Sequence, residues 1–128
     1  MARQMIERLL DSVIIIDHLN GIDAATQFLL GINPEKTSIS VITWAEILVG
    51  VEKEKLDLVK SFLNQYNIFS IDKAIADLAA QMRREYRWKL PDAFQAALSI
   101  NHNTLLTTRN TKDFDPSKHA FVEIPYTI

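Results

Sequence analysis

Short apolar runs alternate with longer segments of helical periodicity along this chain. Strands that are separated by helices cannot pair as simple hairpins, so the alternation favours a parallel sheet covered by helices on both faces. We therefore expect a single three-layer α/β/α domain over residues 1–128, with a central, mainly parallel sheet of four to five short strands. The predicted strands are residues 7–10, 37–40, 68–71, 104–107 and 120–124.

Between these strands, apolar residues recur at the three- and four-residue spacing of a helix face. Asp72 is a predicted N-cap, because it follows a strand and precedes a long periodic segment. Pro91 is placed in the first turn of another helix, where its missing N–H removes no hydrogen bond. Four shorter helices are predicted at residues 13–19, 24–30, 43–51 and 56–66.

Composition excludes several classes of protein. The 128 residues contain no cysteine, so neither a disulfide framework nor a zinc site with thiolate ligands can form. The formal net charge of −2 argues against a generally basic nucleic-acid-binding surface. The apolar run at residues 13–16 is too short for a signal peptide or a membrane span. We expect a soluble, cytoplasmic protein without a membrane partner.

Three carboxylates interrupt otherwise apolar segments: Asp11 follows the first strand, Glu46 lies within an apolar helix, and Asp92 opens an alanine-rich one. A buried carboxylate is tolerated when it is paired, strongly hydrogen-bonded or bound to a cation. Ligand sites in parallel sheets lie beyond the carboxyl ends of the strands, and Asp11 and residues 107–110 would both open onto that edge. If folding brings the three acids together, a divalent metal is the simplest relief of their repulsion. The pattern points to metal-dependent phosphoryl chemistry.

Basic residues are unevenly placed, with one cluster at residues 83–89 and a second at 109–112. Such runs are often solvated helix faces, but a phosphodiester substrate needs local positive charge even on an acidic protein. Aromatic residues beside arginines can stack on the bases of single-stranded RNA. The candidates for base stacking are Tyr86 and Trp88.

Four segments, taken in order, resemble the motifs of the PIN-domain ribonucleases. They are LLDS at 9–12 with Asp17 beyond it, SISVITWAE at 38–46, LPDAFQAA at 90–97 and LTTRNTKDF at 106–114. Each motif alone is weak, but four in the right order and spacing are specific, and together they cover nearly the whole chain. The subgroup that the chain resembles is the VapC-type toxins of bacterial and archaeal toxin–antitoxin pairs.

The resemblance implies a Mg²⁺- or Mn²⁺-dependent endoribonuclease that is usually a homodimer and is held inactive by a cognate antitoxin. Asp11, Asp92 and Glu46 are then the metal ligands and, with Asn110, the catalytic residues. The metal activates water for in-line attack on the scissile phosphorus. The residues assigned to the RNA substrate are Ser12, Thr107, Arg109, Arg83 and Arg87, and those assigned to supporting roles are Asp17 and Asp113.

Two positions depart from the family pattern. Asn110 stands where many PIN domains carry Asp, although many toxin-like members carry Asn, and an amide adds no negative charge to a metal site. Asp113 lies three residues further on, but we expect it to stabilise the turn before Phe114. Val13 stands where the family commonly has Asn, so the resemblance does not extend to a polar contact of that residue near the metal.

Ordinary structural roles also account for each acid taken alone. Asp11 is suited to cap a helix, and Asp92 is favoured in a first helical turn by the helix dipole. Glu46 completes the capping-box pattern Thr-x-x-Glu with Thr43. Asp17 can form a local salt bridge as readily as it supports a metal site.

Two other functions stay open at this level. An RNA-binding module on a PIN scaffold that no longer cleaves is compatible with the amide in the fourth motif. A receiver-type phosphoacceptor domain has a similar length and architecture, but its acceptor Asp ends a middle strand, whereas Glu46 lies within a helix. If the chain is a toxin, we expect an antitoxin Arg or Lys to pair with Asp11 and Asp92. Its apolar residues would fill a groove beside the helices at 44–51 and 56–66.

Overall fold

The computed structural model describes residues 5–128, and the five strands in this range form one sheet. They are β1 (Arg8–Leu10), β2 (Thr37–Ser40), β3 (Asn67–Phe69), β4 (Leu105–Thr107) and β5 (Val122–Glu123). Their order across the sheet is β3-β2-β1-β4-β5, and every neighbouring pair is parallel. The predicted α/β/α class with a parallel sheet is confirmed.

Six α-helices connect and follow these strands in the described part of the chain. They are α1 (Ser12–Leu19), α2 (Asp23–Leu30), α3 (Val41–Val49), α4 (Leu56–Leu63), α5 (Lys73–Tyr86) and α6 (Leu90–Asn101). Asp72 is the N-cap of α5, as predicted, and accepts a hydrogen bond from the Ile75 backbone N–H at 2.9 Å. The helix predicted at 56–66 ends at Leu63, because the next residues turn into β3.

The start of α3 differs from the prediction in a way that bears on Glu46. Ser40, the last residue of β2, is the N-cap, and its Oγ accepts from the Thr43 backbone N–H at 3.1 Å. The helix therefore begins at Val41 rather than at Thr43. The capping box predicted for Thr43 and Glu46 is wrong, because Glu46 lies in the second turn, beyond reach of the cap.

Two hydrophobic clusters lie on opposite faces of the sheet. Successive strand residues point to opposite faces, so Leu9 belongs to one cluster and Leu10 to the other. The Leu9 cluster includes the alanines Ala93, Ala96 and Ala97 of α6, which permit close packing against α5. The second cluster consists mainly of residues from α1, α3 and α4. This arrangement gives the three layers.

The strand order places a crevice beside β1. The chain moves from β1 to β2 and β3 on one side, then returns to β4 and β5 on the other. Such a reversal is where parallel sheets bind ligands, at the carboxyl ends of the strands. Asp11 lies at this point, and its backbone N–H donates to the Thr107 carbonyl at 2.9 Å, which extends the pairing of β1 with β4.

None of the described helices is by itself long and apolar enough to cross a membrane. Together, α1 and α2 have the length and composition of a span, but they meet at a bend of 114°.

Candidate active site

Asp11 is the most buried of the three motif acids Asp11, Glu46 and Asp92, with 7% of its surface exposed. It is the N-cap of α1, and its Oδ1 accepts from the Ser12 backbone N–H at 2.8 Å. Its Oδ2 accepts from the Thr108 hydroxyl at 2.8 Å. Burial raises the pKa of Asp11, and the hydrogen bonds that favour its charged form only partly oppose this effect.

Asp92 faces Asp11 from the first turn of α6. Burial, and after it the negative charges of Asp11, Asp113 and Glu46 in that order, together raise its pKa to about 6. Asp11 and Asp92 line one cavity of about 470 Å³, together with Ser12, Arg109 and Asn110; we call it the acidic cavity. The fold therefore brings the first and third motifs together.

Glu46 is linked to this cavity through Ser12. The Ser12 hydroxyl donates to Glu46 Oε1 at 3.2 Å, while Ser12 itself lines the acidic cavity. Burial raises the pKa of Glu46, and the charge of Asp11 adds to the effect. The Glu46 carboxylate is more exposed than that of Asp11 and lines the neighbouring groove. It thus stands at the rim of the site.

Thr107, which the sequence assigns to the substrate, points away from the acidic cavity. Its hydroxyl donates to Glu123 Oε1 of β5 at 2.6 Å. Thr108 faces the site instead, because neighbouring residues of an extended segment point in opposite directions. Besides donating to Asp11, the Thr108 hydroxyl accepts from the Asn110 backbone N–H at 3.0 Å. The prediction chose the wrong one of two adjacent threonines.

Gln95 is a site residue that sequence reasoning missed. Only 2% of it is exposed. Its Nε2 donates to the Thr43 hydroxyl at 2.8 Å and, more weakly, to Asp11 Oδ1 at 3.5 Å. Gln95 therefore connects α6 to the helix of Glu46 and to the first carboxylate. A polar residue among the alanines of α6 was the available signal, because buried amides are retained where they have partners.

Asp17 orients Arg109 through two of its three guanidinium nitrogens. Its Nε and Nη2 donate to the two carboxylate oxygens of Asp17 at 2.6 and 2.8 Å. The Tyr126 hydroxyl also donates to Asp17, at 2.9 Å. These bonds lower the pKa of Asp17 and involve both of its oxygens, so Asp17 holds Arg109 in place. Asp17 and Arg109 are 92 positions apart, so their ion pair is not a local salt bridge.

Asn110 and Asp113 form the turn that closes the site. Asn110 Nδ2 donates to Asp113 Oδ2 at 3.0 Å, and the Phe114 backbone N–H donates to the Asn110 carbonyl at 3.0 Å. Asp113 therefore stabilises the turn before Phe114, as expected. Asn110 lines the acidic cavity, whereas Asp113 affects it through its charge on Asp92.

The basic segment at the end of α5 lies beside the site but is partly occupied by internal contacts. Arg83 donates through Nη1 to the Trp88 carbonyl. Trp88 is 5% exposed and donates from Nε1 to the Asp113 carbonyl at 2.9 Å, so its predicted stacking on an RNA base is wrong. Arg87 is exposed at the end of the helix, and Tyr86 is 43% exposed. These two remain accessible to a substrate.

The carboxylate oxygens of Asp11, Glu46 and Asp92 suit a hard divalent cation, but they do not complete its coordination by themselves. Among the ion pairs of the described residues, none involves Asp11, Glu46 or Asp92. Over residues 5–128, no three His, Cys, Asp or Glu side chains are arranged to hold a metal by themselves. Mg²⁺ is usually bound by one or two carboxylates, several waters and substrate phosphates. The cluster matches that mode rather than an all-protein site.

Comparison with known proteins identifies a family and several relatives. The PIN domain model matches residues 8–116. Ribonuclease VapC19 from Mycobacterium tuberculosis is 29% identical over 114 residues, which cover 84% of this chain and 91% of the relative. A structure described as a toxin-antitoxin complex from Klebsiella pneumoniae contains a chain that is 38% identical. The similarity covers 95% of this chain and 100% of that one, with a TM-score of 0.88. FitAcB from Neisseria gonorrhoeae is 25% identical, covers 92% and 97%, and has a TM-score of 0.76.

Proposed function

Because the chain belongs to the PIN-domain family, we propose that it is a metal-dependent endoribonuclease and the toxin of a toxin–antitoxin pair. The observation that carries the proposal is the convergence of Asp11, Glu46 and Asp92, whose pKa values are all raised and whose charges act on one another. Among the described residues none of the three forms an ion pair, and the charge of Lys89 only partly offsets the raised pKa of Asp92, so the site favours an added cation. The related ribonuclease and toxin–antitoxin complex supply the class of reaction and partner.

Asp11 and Asp92 would hold Mg²⁺ or Mn²⁺, with Glu46 beside them through Ser12. When bound, the ion supplies positive charge that acidifies an attacking water and neutralises the phosphate oxygens. Thr108 and Gln95 keep the Asp11 carboxylate in place. Asn110 and the remaining guanidinium nitrogen of Arg109 border the same cavity, where they can contact the scissile phosphate.

Cleavage of a labelled single-stranded RNA by the purified protein tests the activity. We expect cleavage with Mg²⁺ or Mn²⁺ and none with EDTA. Asp92→Asn should lower the rate by at least about 100-fold, because the variant loses one of the few fixed charges that hold the ion. Asp77→Asn, on the exposed face of α5, is the matched control and should cleave normally. Cleavage that persists in EDTA would refute the metal, and binding without any cleavage would leave an RNA-binding module.

The antitoxin would occupy an apolar groove that opens beside Glu46. The groove has a volume of about 550 Å³, and α1, α3 and α4 contribute its walls. Leu58 is 73% exposed there, and Leu19 is 42% exposed. The groove thus includes the helices expected from the sequence and adds α1. An apolar segment of the partner would fill it, and an adjacent Arg or Lys would reach Asp11 and Asp92.

Co-expression with the product of the neighbouring gene tests this partner. Expression of the chain alone should slow growth, whereas the pair should grow normally and co-elute as one complex. Leu58→Glu should weaken the complex without abolishing cleavage, and Lys60→Glu serves as the exposed control on the same helix. Light scattering on the free chain tests the expected homodimer. Absence of both toxicity and binding would leave a PIN nuclease without a toxin role.

A further inference from the structure

A second, smaller cavity adjoins the acidic cavity. It has a volume of about 270 Å³, and Thr111 and Lys112 line both cavities. Its remaining walls come from the end of α5 and from the loop before β5, including Tyr86 and His119. We call it the Tyr86 cavity. A single-stranded RNA that passes through the acidic cavity would lie next to the Tyr86 cavity.

Aromatic rings form one wall of the Tyr86 cavity. Tyr86 stacks on Trp88, with ring centroids 4.6 Å apart and planes inclined by 20°. His119 approaches Tyr86 edge-on at 5.1 Å. Trp88 is buried and fixed through its indole N–H, whereas Tyr86 is 43% exposed. Since one face of Tyr86 lies against Trp88, a further ring can stack only on the opposite face.

The backbone after Tyr86 holds this wall in position. Arg87 has a φ of 60°, in the left-handed region that residues other than glycine adopt rarely. The turn is kept by the Arg87 backbone N–H, which donates to the Arg83 carbonyl, and by the Arg83 side chain, which donates to the Trp88 carbonyl. The stacked pair is therefore preorganised, which reduces the conformational cost of stacking a further ring on it.

The charge of the cavity indicates the kind of ligand. Lys112 and Lys118 contribute two positive charges, and Asp113 and Asp115 contribute two negative ones. A balanced lining does not select phosphate, whereas an exposed aromatic face accepts any flat base. The volume is also below the roughly 300–1,000 Å³ of pockets for drug-sized ligands, so it suits one ring system.

We propose that the Tyr86 cavity is a nucleobase subsite, in which Tyr86 stacks on a base of single-stranded RNA next to the scissile phosphate. The proposal rests on the proposed ribonuclease function and extends it to substrate recognition. The neighbouring phosphates would lie near Lys112, which borders both cavities, and near the exposed Arg87. Stacking of this kind tolerates different bases but requires that a base is present.

Binding of abasic RNA tests the subsite. Short single-stranded RNAs carrying one abasic nucleotide at each position in turn are titrated against Asp92→Asn protein, which keeps the RNA intact. One abasic position should weaken binding by about 5- to 150-fold, the size of a single base–aromatic stack. In protein that carries both Asp92→Asn and Tyr86→Ala, the abasic nucleotide at that position should weaken RNA binding by less than about twofold, because Tyr86 is no longer there to stack on the base. Tyr86→Phe should behave like Tyr86, and Gln81→Ala is the exposed control on α5. Abasic effects that Tyr86→Ala leaves unchanged at every position would overturn the proposal.

Photocrosslinking keeps the proposal testable if Tyr86→Ala does not fold. The same RNA, with 5-iodouridine placed at each position in turn, is irradiated with Asp92→Asn protein that retains Tyr86. Peptide mapping should find an adduct on Tyr86 for one position, whereas adducts elsewhere and none on Tyr86 would refute the subsite. Cleavage of unmodified RNA by the unmutated chain is measured in parallel. Failure of that cleavage would count against the ribonuclease itself, and cleavage without a Tyr86-dependent position would count against the subsite alone.

Discussion

Asp11 depends on its neighbours more than Asp92 and Glu46 do, because it is nearly excluded from water. Thr108 and Ser12 supply its short hydrogen bonds, and Gln95 adds a longer one from the opposite helix layer. Outer partners of a metal ligand fix its orientation, and losing one commonly costs metal affinity. Asp17 plays a comparable part for Arg109, since it holds the guanidinium in a bidentate pair.

Replacing Gln95 by Met tests its positioning role. The substitution keeps the volume of the side chain and removes its amide, so we expect Mn²⁺ affinity and cleavage rate to fall together by about tenfold. Direct titration of Mn²⁺ by electron paramagnetic resonance measures the affinity apart from catalysis. Gln81→Met, on the exposed face of α5, is the control. Unchanged Mn²⁺ affinity in Gln95→Met would show that the amide serves packing only.

Removing the charge of Asp17 should destabilise the fold through Arg109. Breaking one partner of a fully buried pair costs about 3–5 kcal/mol, and we expect about 2 kcal/mol for Asp17→Asn because Arg109 retains some contact with solvent. The pKa of Asp17 is lowered, so its stabilisation is present above the ordinary carboxyl pKa and is lost as pH falls through the lowered value. Urea unfolding at pH 7 and pH 3 measures both effects. A loss of the same size at both pH values, or for the exposed control Asp77→Asn, would contradict this role.

At the residue scale, the sequence predicted the motif acids but not their hydrogen-bonding partners. The alternating direction of side chains could have separated Thr107 from Thr108 if the end of β4 had been known to one residue. No local pattern joins Asp17 to Arg109, because these residues are 92 positions apart and meet only through the order of the strands.

At the scale of elements, helix caps set the geometry of the site. Asp11 caps α1 and Ser40 caps α3, and both lie at the carboxyl ends of adjacent strands. The same residues therefore end a strand, begin a helix and aim its first turns toward the crevice. Most element positions followed from apolar periodicity, because each helix buries one face. The exact start of α3 did not, because Ser40 and Thr43 are both acceptable caps.

Asp72→Ala tests the cap that the sequence identified most directly. Asp72 accepts from the Ile75 N–H at 2.9 Å, and removing an N-cap costs about 1 kcal/mol. Chemical denaturation should show that loss of stability with unchanged cleavage, since α5 contributes no carboxylate to the acidic cavity. Asp77→Ala in the same helix should change stability by much less. An equal loss in the two variants would mean that Asp72 acts through general charge rather than as a cap.

At the scale of the whole molecule, the parallel sheet gathers acids from distant parts of the chain into one region. Gathering these acids disfavours their charged forms, and the effect is visible in the pKa of Asp92, which burial and three neighbouring acids raise to about 6. The sequence predicted this convergence because strand ends in a parallel sheet share an edge. It could not predict that Glu46 stands at the rim, which depends on where α3 begins.

The raised pKa of Asp92 predicts how pH affects the metal-free protein. Between the ordinary carboxyl pKa and about 6, the folded chain holds a proton that the unfolded chain has released, so the contribution of Asp92 to stability declines as pH rises. Metal-free Asp92→Asn should melt about 3 °C above the unmutated chain at pH 7, with a smaller difference near pH 4. Thermal melts in EDTA measure this. A variant that melts lower at pH 7 would contradict the repulsion.

We propose that Asp11, Glu46 and Asp92 act together as a single site for a divalent ion. Mn²⁺ binding followed by electron paramagnetic resonance, with RNA cleavage measured on the same samples, tests it most directly. We expect Asp11→Asn and Asp92→Asn each to weaken binding by at least about tenfold and to lower cleavage in parallel, while Glu46→Gln has a smaller effect because Glu46 lies at the rim. Unaltered Mn²⁺ binding in both aspartate variants would contradict it.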